Sequence, residues 1–304
     1  MNDFKEVYDK IYPELKVIYD NEIQVLNKKL SIKKNKFLKK IIIIDSIIIL
    51  ILGVIFKETI LYYLLGIIVW MIIISGIVCK FKFFKDYKKI TKHFKHIIIK
   101  KIIDNVYQEE CVINVDKGIT EKEYNPNIYG DMYNRFYSND LVYLKENRLF
   151  FSELLVQYYS SSGKNSSTTT IFKGIAGQKI LSKNINCKFS ILSNRLFMDN
   201  RVKLDSSEFE KYFDIKSEDK ILAMRFLTSD IMGMMVTLRE KYDCKFELGI
   251  IDEILYFRIL TCKNFFELPN LKKGLDIEYL KNNTDILFQI KKLTVLIDDI
   301  VKEI

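Results

Sequence analysis

Ile41–Phe56 reads IIIIDSIIILILGVIF and Thr59–Cys79 reads TILYYLLGIIVWMIIISGIVC, and these two stretches decide the fold of the N-terminal third of the chain. A helix needs about 20 apolar residues to cross the roughly 30 Å hydrocarbon core of a bilayer. The second stretch has this length by itself. The first reaches it when Phe37 and Leu38 are included, because the lysines beside them can extend their charged ends outward. We therefore predict a two-helix transmembrane hairpin over residues 37–79.

Two other structures are considered for this segment. A secretory signal fits poorly, because residues 1–36 precede the first stretch and a second apolar stretch follows at once. A buried hairpin in a soluble protein also fits poorly, because the isoleucine runs have no polar face. The transmembrane hairpin is therefore the structure that we predict for residues 37–79.

Lysines flank the predicted hairpin on both sides. Residues 28–40 carry seven lysines and no acid, and residues 80–101 carry nine lysines and one acid, whereas the connecting pair Lys57–Glu58 is neutral. By the positive-inside rule both termini are predicted to be cytoplasmic, with two spans in the cell membrane. Clustered lysines also attract anionic lipid head groups, at about 1 kcal/mol each. The lysines expected to contact lipid are Lys33, Lys34, Lys36, Lys39, Lys40, Lys80, Lys82 and Lys85.

Such a lysine-rich segment is also typical of nucleic-acid binding. The whole chain carries a formal charge of +9, so the basic character is concentrated beside the hairpin. The aromatic residues interleaved with these lysines are explained equally well by a membrane interface. We therefore expect anionic lipid, and no nucleic acid, as the partner.

Asp45 lies inside the first predicted span. An acid in this position is by default a functional hypothesis, here a proton- or ion-handling role. Asp45 follows Lys40 by about a turn and a half, so it can reach the interface or pair with Ser46 or with Ser75 of the second helix. We favour this pairing role; transport is the alternative, for which two spans are too few unless the chain oligomerises.

Helices are predicted on either side of the hairpin, over residues 1–36 and 80–108, and together they would form a helical stalk. The apolar stripe of the first is Phe4, Ile11, Ile18, Val25 and Ile32, with Tyr8 and Leu15 between them. The stripe of the second is Phe83, Tyr87, Ile90, Phe94 and Ile97. Both spacings are typical of coiled coils. Pro13 predicts that the first helix restarts there.

Residues 109–304 have the pattern of a cytosolic α+β domain with an antiparallel sheet. The predicted strands are Cys111–Val115, Leu141–Leu144, Arg148–Tyr159, Ile171–Ile175, Asn186–Leu192, Lys245–Ile251 and Ile254–Leu260, with turns at Asn125–Pro126, Glu146–Asn147 and Asp252–Glu253. The predicted helices are Ser206–Phe213, Asp219–Leu227, Ser229–Tyr242 and a last one from about Asp285. A polar loop is predicted over Ser160–Thr170.

Catalytic chemistry is poorly supported by the residue types. The two histidines, His93 and His96, precede the domain, so a Ser–His or Cys–His pair within it is excluded. The pair itself could hold a metal only with a third ligand. The five cysteines form no CxxC, which favours buried thiols; they are Cys79, Cys111, Cys187, Cys244 and Cys262.

Two weaker patterns were weighed as binding sites. Gly163–Lys164 followed by Ser166 resembles part of a phosphate loop, but the upstream glycine is missing. The acidic clusters Glu208–Glu210–Asp214 and Asp298–Asp299 could bind a divalent cation, but solvated helix faces explain them better. We therefore predict no catalytic, cofactor-binding or metal-binding residue, and no cofactor.

The segment VKLDSSEFEKYFDIKSEDKILAMRFLT, Val202–Thr228, resembles the signature of a bacterial membrane protein family catalogued as domain of unknown function 3137. The residues that carry the candidate motif are Leu204, Glu208, Phe209, Phe213, Asp219 and Arg225, supported by Ala223, Leu227 and Thr228. Phe172–Lys173–Gly174 resembles the family's F-x-G strand, and Phe266–Glu267 its later F-E. The order of parts is also similar to the family.

The resemblance implies membrane location and an α+β domain, and it transfers no catalytic residue. It also implies a LemA-like membrane protein as a partner. The motif is interpreted as a packing corner, with Phe209 and Phe213 on one helix face; its alternative is a ligand site lined by Glu208, Asp219 and Arg225.

Together these patterns predict a membrane-anchored cytosolic binding or scaffold module at the inner leaflet. The alternative is a carboxylate- or metal-dependent enzyme acting at the membrane surface. A homo-oligomer is left open.

Overall fold

The computed structural model describes residues 4–55, 61–162, 165–193, 201–204, 206–242, 244–261, 265–267, 275 and 277–303. The predicted loop tip Gly163–Lys164, the connecting pair Lys57–Glu58 and Cys262 lie outside these residues. The chain forms two compact units, one of residues 1–12, 99–267 and 276–304 and the other of residues 13–98 and 268–275. The predicted boundaries between stalk, hairpin and domain, at 36/37, 79/80 and 108/109, stay predictions.

The N-terminal third is helical throughout its described residues. The elements are α1 (Phe4–Ile18), a π-helical turn (Tyr19–Ile23), α2 (Gln24–Ile55), α3 (Leu61–Phe94), a second π-helical turn (Lys95–Ile99) and α4 (Lys100–Tyr107). Helix α1 continues through Pro13, so the predicted restart there is wrong. Proline removes one backbone hydrogen bond, but Ile11 and Leu15 are buried on either side of it, and their packing stabilises the helix across this position.

The π-helical turns alter the predicted seven-residue stripes. After Leu15 the buried positions are Tyr19 and Ile23, four residues apart, because a π-turn inserts an extra residue. Val25 and Ile32 are consequently 40% and 57% exposed, and the prediction that they lie in the seam is wrong. In the second stripe Tyr87 is exposed as well, and the buried position beyond Phe94 is Ile98 rather than Ile97.

The larger unit is built on an antiparallel sheet. Its strands are β1 (Val112–Asn114), β2 (Arg135–Leu144), β3 (Leu149–Ser162), β4 (Asn165–Ile180), β5 (Lys188–Ser193), β6 (Arg201–Val202), β7 (Phe213–Ser217), β8 (Lys245–Ile251) and β9 (Ile254–Leu260). Their order in the sheet is β1-β2-β3-β4-β9-β8-β5-β7-β6, and every neighbouring pair is antiparallel. The predicted α+β class with an antiparallel sheet is confirmed.

The helices of this unit cover both faces of the sheet. They are α5 (Glu121–Tyr124), α6 (Pro126–Tyr129), α7 (Ser207–Glu210), α8 (Lys220–Phe226), α9 (Ser229–Tyr242) and α10 (Ile277–Glu303), besides α4. On one face Tyr124 packs against Phe172, with 6.1 Å between the ring centroids. On the other Phe189 packs against Phe226 at 4.8 Å.

Among the described residues, no single helix has the length and apolar character needed to cross a membrane. Helices α8 and α9, which are bent by 72° relative to each other, meet the length and composition criteria only when they are counted as one segment.

Elements with a regular pattern lie where the sequence predicts them. Strands β8 and β9 and helix α9 have the predicted bounds. The hairpin turn between β8 and β9 places Asp252 at a φ of 57°, the left-handed conformation that two-residue hairpins favour and aspartate tolerates.

Several predicted elements differ from the structure. Strand β2 begins at Arg135 rather than Leu141, and β4 spans Asn165–Ile180 rather than Ile171–Ile175. In the predicted polar loop Ser160–Thr170, the described residues 160–162 and 165–170 are instead strand, because β3 and β4 continue to pair as far as Ser162 and Asn165. The last helix begins at Ile277 rather than Asp285, and the buried residues Leu280 and Thr284 extend its packed face by two turns. The predicted helix Ser206–Phe213 is only the single turn of α7, since Phe213 already pairs with Ser193 in the sheet.

Gly174 occupies a position where only hydrogen fits. A Cβ atom there would clash with the backbone carbonyl oxygen of Ile259 on the neighbouring strand β9. We expect Gly174→Ala to lower the free energy of unfolding by about 1–3 kcal/mol, as overpacking does. Gly233→Ala is the control, because a Cβ there meets nothing within 4 Å and alanine favours the helix α9 by about 0.5–1 kcal/mol. Urea unfolding of the full chain measures both; equal stability of the two variants would contradict the close approach.

Candidate functional site

The signature segment forms a packing corner. Phe209 on α7 and Phe213 on β7 are each 1% exposed, and their rings stack with 4.9 Å between centroids. They meet because the chain turns between them, not because they share a helix face as predicted. The backbone N–H of Leu204 donates to Glu210 Oε1 at 2.6 Å, which fixes the entry to α7.

The charged members of the motif have local positions. Asp219 is the N-cap of α8, and its Oδ1 accepts from the backbone N–H groups of Ile221 and Leu222 at 2.9 and 3.0 Å. Glu208 and Arg225 are exposed. Of the six predicted residues, the structure thus brings Phe209 and Phe213 together, and it gives Asp219 a structural role in the helix start.

The acidic residues weighed as metal ligands mostly have donors of their own. The pairs are Glu210 with the N–H of Leu204, Asp214 with Arg201, Asp298 with the N–H of Ser182, and Asp299 with Lys302. In the described part of the chain, no three His, Cys, Asp or Glu side chains group as metal ligands would. His93 instead contacts Glu22, with 2.9 Å between Nε2 and Oε2.

A buried ion cluster lies at the centre of the sheet and was not predicted. Glu247 on β8 and Arg258 on β9 are paired residues of the two strands, and Arg258 Nε donates to Glu247 Oε2 at 2.6 Å. The guanidinium also donates to Asp131 and to the hydroxyl of Tyr124. Since Asp131 and Tyr124 lie on the segment that follows β1, the cluster ties this segment to the sheet.

Aromatic rings surround the Arg258 guanidinium. Its Cζ lies 4.0 Å from the ring centroid of Tyr129 and 5.2 Å from that of Phe172. The quadrupole of an aromatic face attracts a cation, more strongly where water is excluded. The rings therefore favour the charged arginine at a position where burial disfavours it.

The protonation states of the cluster follow from its partners. Burial acts to lower the pKa of Arg258, but Glu247, Tyr124 and Asp131 together raise it above its ordinary value. Burial raises the pKa of the Tyr124 hydroxyl, which stays protonated and donates to Asp131 Oδ2 at 2.6 Å. With two carboxylates and one guanidinium, the cluster carries one excess negative charge.

A cavity of about 200 Å³ lies beside the cluster. Its lining includes Asp131, Glu247 and Arg258 of the cluster, together with Ser193 and the exposed Lys245. The Ser193 hydroxyl is out of contact with water and has no hydrogen-bond partner among the described residues. The Arg258 guanidinium already donates to Glu247, Tyr124 and Asp131, so Lys245 is the cation of the cavity lining that a bound group can meet.

One sequence signal could have identified this cluster. Glu247 and Arg258 each interrupt a strand whose other residues are almost all apolar, and they lie at equal distances from the Asp252–Glu253 turn. Opposite charges at matched hairpin positions predict a cross-strand pair. Asp131 and Tyr124 gave no such signal.

The helical unit presents a second candidate surface. An apolar belt of exposed residues covers α2 and α3; it consists of Ile42, Ile43, Ile44, Ile47, Ile48, Leu50, Ile51, Trp70, Ile72, Ile73, Ile74, Ile77 and Val78. Within it Ser75 Oγ donates to Asp45 Oδ2 at 3.2 Å, which confirms the predicted pairing of these residues across the helices.

The lysines predicted to contact lipid are all exposed beside this belt. Phe37 and Phe83 pack edge to face, 5.6 Å apart, at the level where the belt ends. Lys82 Nζ lies 3.8 Å above the ring of Phe37, and Lys33 forms a 2.8 Å ion pair with Asp86. Two of the eight lysines are thus held in place, and both remain accessible to solvent.

The larger unit is an antiparallel α+β domain that contains a buried ion cluster. Residues 170–302 match the family model DUF3137, whose members are described as proteins of unknown function. The family predicted from Val202–Thr228 is therefore confirmed for this part of the chain. No curated protein matches. The crystal structure of the mycobacterial trehalose monomycolate transport factor A, TtfA, aligns over 63% of this chain and 95% of its own, at 8% identity and a TM-score of 0.29, which is too low to support an inference.

Loss of either signature phenylalanine should destabilise the domain. We expect Phe209→Ala and Phe213→Ala each to lower the free energy of unfolding by about 3–5 kcal/mol, because each leaves a cavity in the core. The double variant should lose less than the sum, since the rings contact each other. If both single variants unfold like the parent in urea, the packing corner is not structural.

Removal of Arg258 should be equally severe. Arg258→Met leaves Asp131 and Glu247 buried without their cation, and we expect a loss of about 3–5 kcal/mol. The matched control Arg225→Met removes an exposed arginine and should stay within about 0.5 kcal/mol of the parent. Chemical denaturation compares the two; a small effect at Arg258 would show that the cluster is not desolvated.

Proposed function

We propose that the chain is a membrane-anchored binding module, with the hairpin 37–79 in the bilayer and residues 109–304 on the cytosolic side. The observation that carries this proposal is the apolar belt of α2 and α3 with two groups of exposed lysines together at one of its ends. Leu50 and Trp70 in the belt are 70% and 66% exposed. Monomeric soluble proteins rarely expose contiguous apolar patches larger than a few hundred Å².

A bilayer accounts for both features of this surface. Its hydrocarbon interior covers the apolar belt, and the one acid there, Asp45, has a hydrogen-bond partner in Ser75. The lysines at that end of the belt then lie at the head-group level, where anionic lipid attracts them. Since both lysine groups lie on the same side of the hairpin, the positive-inside rule supports cytoplasmic termini.

The binding role rests on the domain. The cavity beside Arg258 is lined by the exposed Lys245, whose ammonium can meet a polar or acidic group of a ligand or partner. A LemA-like membrane protein and a second copy of the chain are the protein partners that this proposal includes. The enzymatic alternative has no observation of its own among the described residues.

Cysteine labelling tests the proposed topology in whole cells. A membrane-impermeant maleimide should react with Lys57→Cys in intact cells and with Ser167→Cys only after permeabilisation, because the first lies in the outward turn and the second in the cytosolic domain. The four native cysteines that the structure describes are buried, which keeps the background low. Labelling of Ser167→Cys in intact cells would overturn the topology.

A further inference from the structure

Helices α2 and α3 enclose a groove of about 450 Å³ beyond the apolar belt. Its apolar floor consists of Leu26, Leu30 and Ile90, and the lysines around it are Lys29, Lys33 and Lys89. Asp86 and His93 complete the lining. A groove with an apolar floor and a cationic rim is complementary to an anion attached to an apolar body.

The charge of the groove can be counted from its lining. Lys33 and Asp86 neutralise each other in a 2.8 Å ion pair, and this hydrogen bond lowers the pKa of the Asp86 carboxyl below its ordinary value. Lys29 and Lys89 form no ion pair with any residue in the described ranges. The three lysines and Asp86 of the lining therefore give a formal charge of +2.

This charge selects among anions. A phosphate monoester carries about −1.5 to −2 at neutral pH, whereas a phosphodiester carries a single charge. We propose that the groove binds the phosphate monoester head group of a membrane lipid. The proposal rests on the proposed membrane anchoring, because it assigns the lipid of that same membrane to a defined site.

The position of the groove fits a head group. Phe37 marks the level where the apolar belt ends, and at about 1.5 Å per residue Lys33 lies roughly 6 Å and Lys29 roughly 12 Å beyond it. The polar layer of a bilayer extends about 5–7 Å on each side of the hydrocarbon core. Lys33 thus lies within this layer, and Lys29 lies about one helical turn beyond it.

Two contacts between charged or polar side chains cross the groove, one at each end. The Lys33–Asp86 pair joins α2 to α3 at the membrane end, and the contact between His93 and Glu22 joins the helical segments at the far end. Glu22 is the carboxylate that faces His93, so the histidine is not an additional free cation. Lys29 and Lys89 lie between these two contacts and form no ion pair among the described residues. They are the residues that the proposal assigns to the phosphate.

The test compares two double variants of the full chain in detergent. Lys29→Gln/Lys89→Gln removes the assigned cations, and Lys28→Gln/Lys88→Gln removes two neighbouring exposed lysines that do not line the groove, with the same change in net charge. The probes are dioctanoyl phosphatidate, dioctanoyl phosphatidylglycerol and glycerol 3-phosphate, each titrated and followed by native mass spectrometry.

We expect the parent to bind phosphatidate more tightly than phosphatidylglycerol or glycerol 3-phosphate. The groove variant should bind phosphatidate about 30-fold more weakly, since each lysine near the surface contributes about a fivefold factor. The control variant should bind like the parent. Circular dichroism should show that both variants keep the helix content of the parent.

Three results would overturn the inference: equal weakening in the two variants, equal affinity of the parent for phosphatidate and phosphatidylglycerol, or glycerol 3-phosphate binding as tightly as phosphatidate, which would indicate a soluble ligand. Carbonate extraction of cell membranes distinguishes an error in the lipid-site proposal from an error in the proposed membrane anchoring. If the parent stays in the membrane pellet while the groove variant binds lipid like its control, only the groove assignment fails. If the parent is extracted, the proposed anchoring fails.

Discussion

The apolar belt on α2 and α3 must be kept from water, and the organisation of the chain depends on that constraint. Isoleucine and leucine side chains exposed over several helical turns represent a large unfavourable free energy in an aqueous solution, at roughly 25 cal/mol per Å². A bilayer removes this cost without any further protein contact. The proposed membrane location is consistent with the exposed lysines beside the belt and with the hydrogen bond that Ser75 donates to Asp45.

The constraint on the domain is different, because its interior contains charged side chains that need partners. Arg258 forms ionic contacts with Glu247 and Asp131 and is enclosed by aromatic rings, so a polar cluster joins the segment after β1 to the centre of the sheet. Such a cluster stabilises the fold only while it is complete, since any single partner left alone is a buried charge. Two of its members, Glu247 and Arg258, lie within residues 170–302, which match the DUF3137 model, whereas Tyr124 and Asp131 precede them.

Much of this fold could be predicted, and the failures have physical causes. Elements with a regular period, such as α9 and the β8–β9 hairpin, lie at their predicted bounds because local patterning and tertiary packing agree. The predicted apolar stripes of the stalk helices are wrong where π-helical turns insert a residue, because a seven-residue pattern does not show such an insertion. Phe213 was placed on a helix because spacing alone cannot show that the chain turns into β7. The partners of Arg258 come from distant segments, so only Glu247 was within reach of sequence reasoning.

The most direct test of the membrane anchor uses Trp70, the single tryptophan of the chain and part of the apolar belt. Its fluorescence in reconstituted vesicles reports whether this side chain meets water or lipid. The account predicts blue-shifted emission that is quenched by lipids brominated along the acyl chain and protected from aqueous acrylamide. Red-shifted emission that acrylamide quenches and brominated lipids leave unchanged would contradict it.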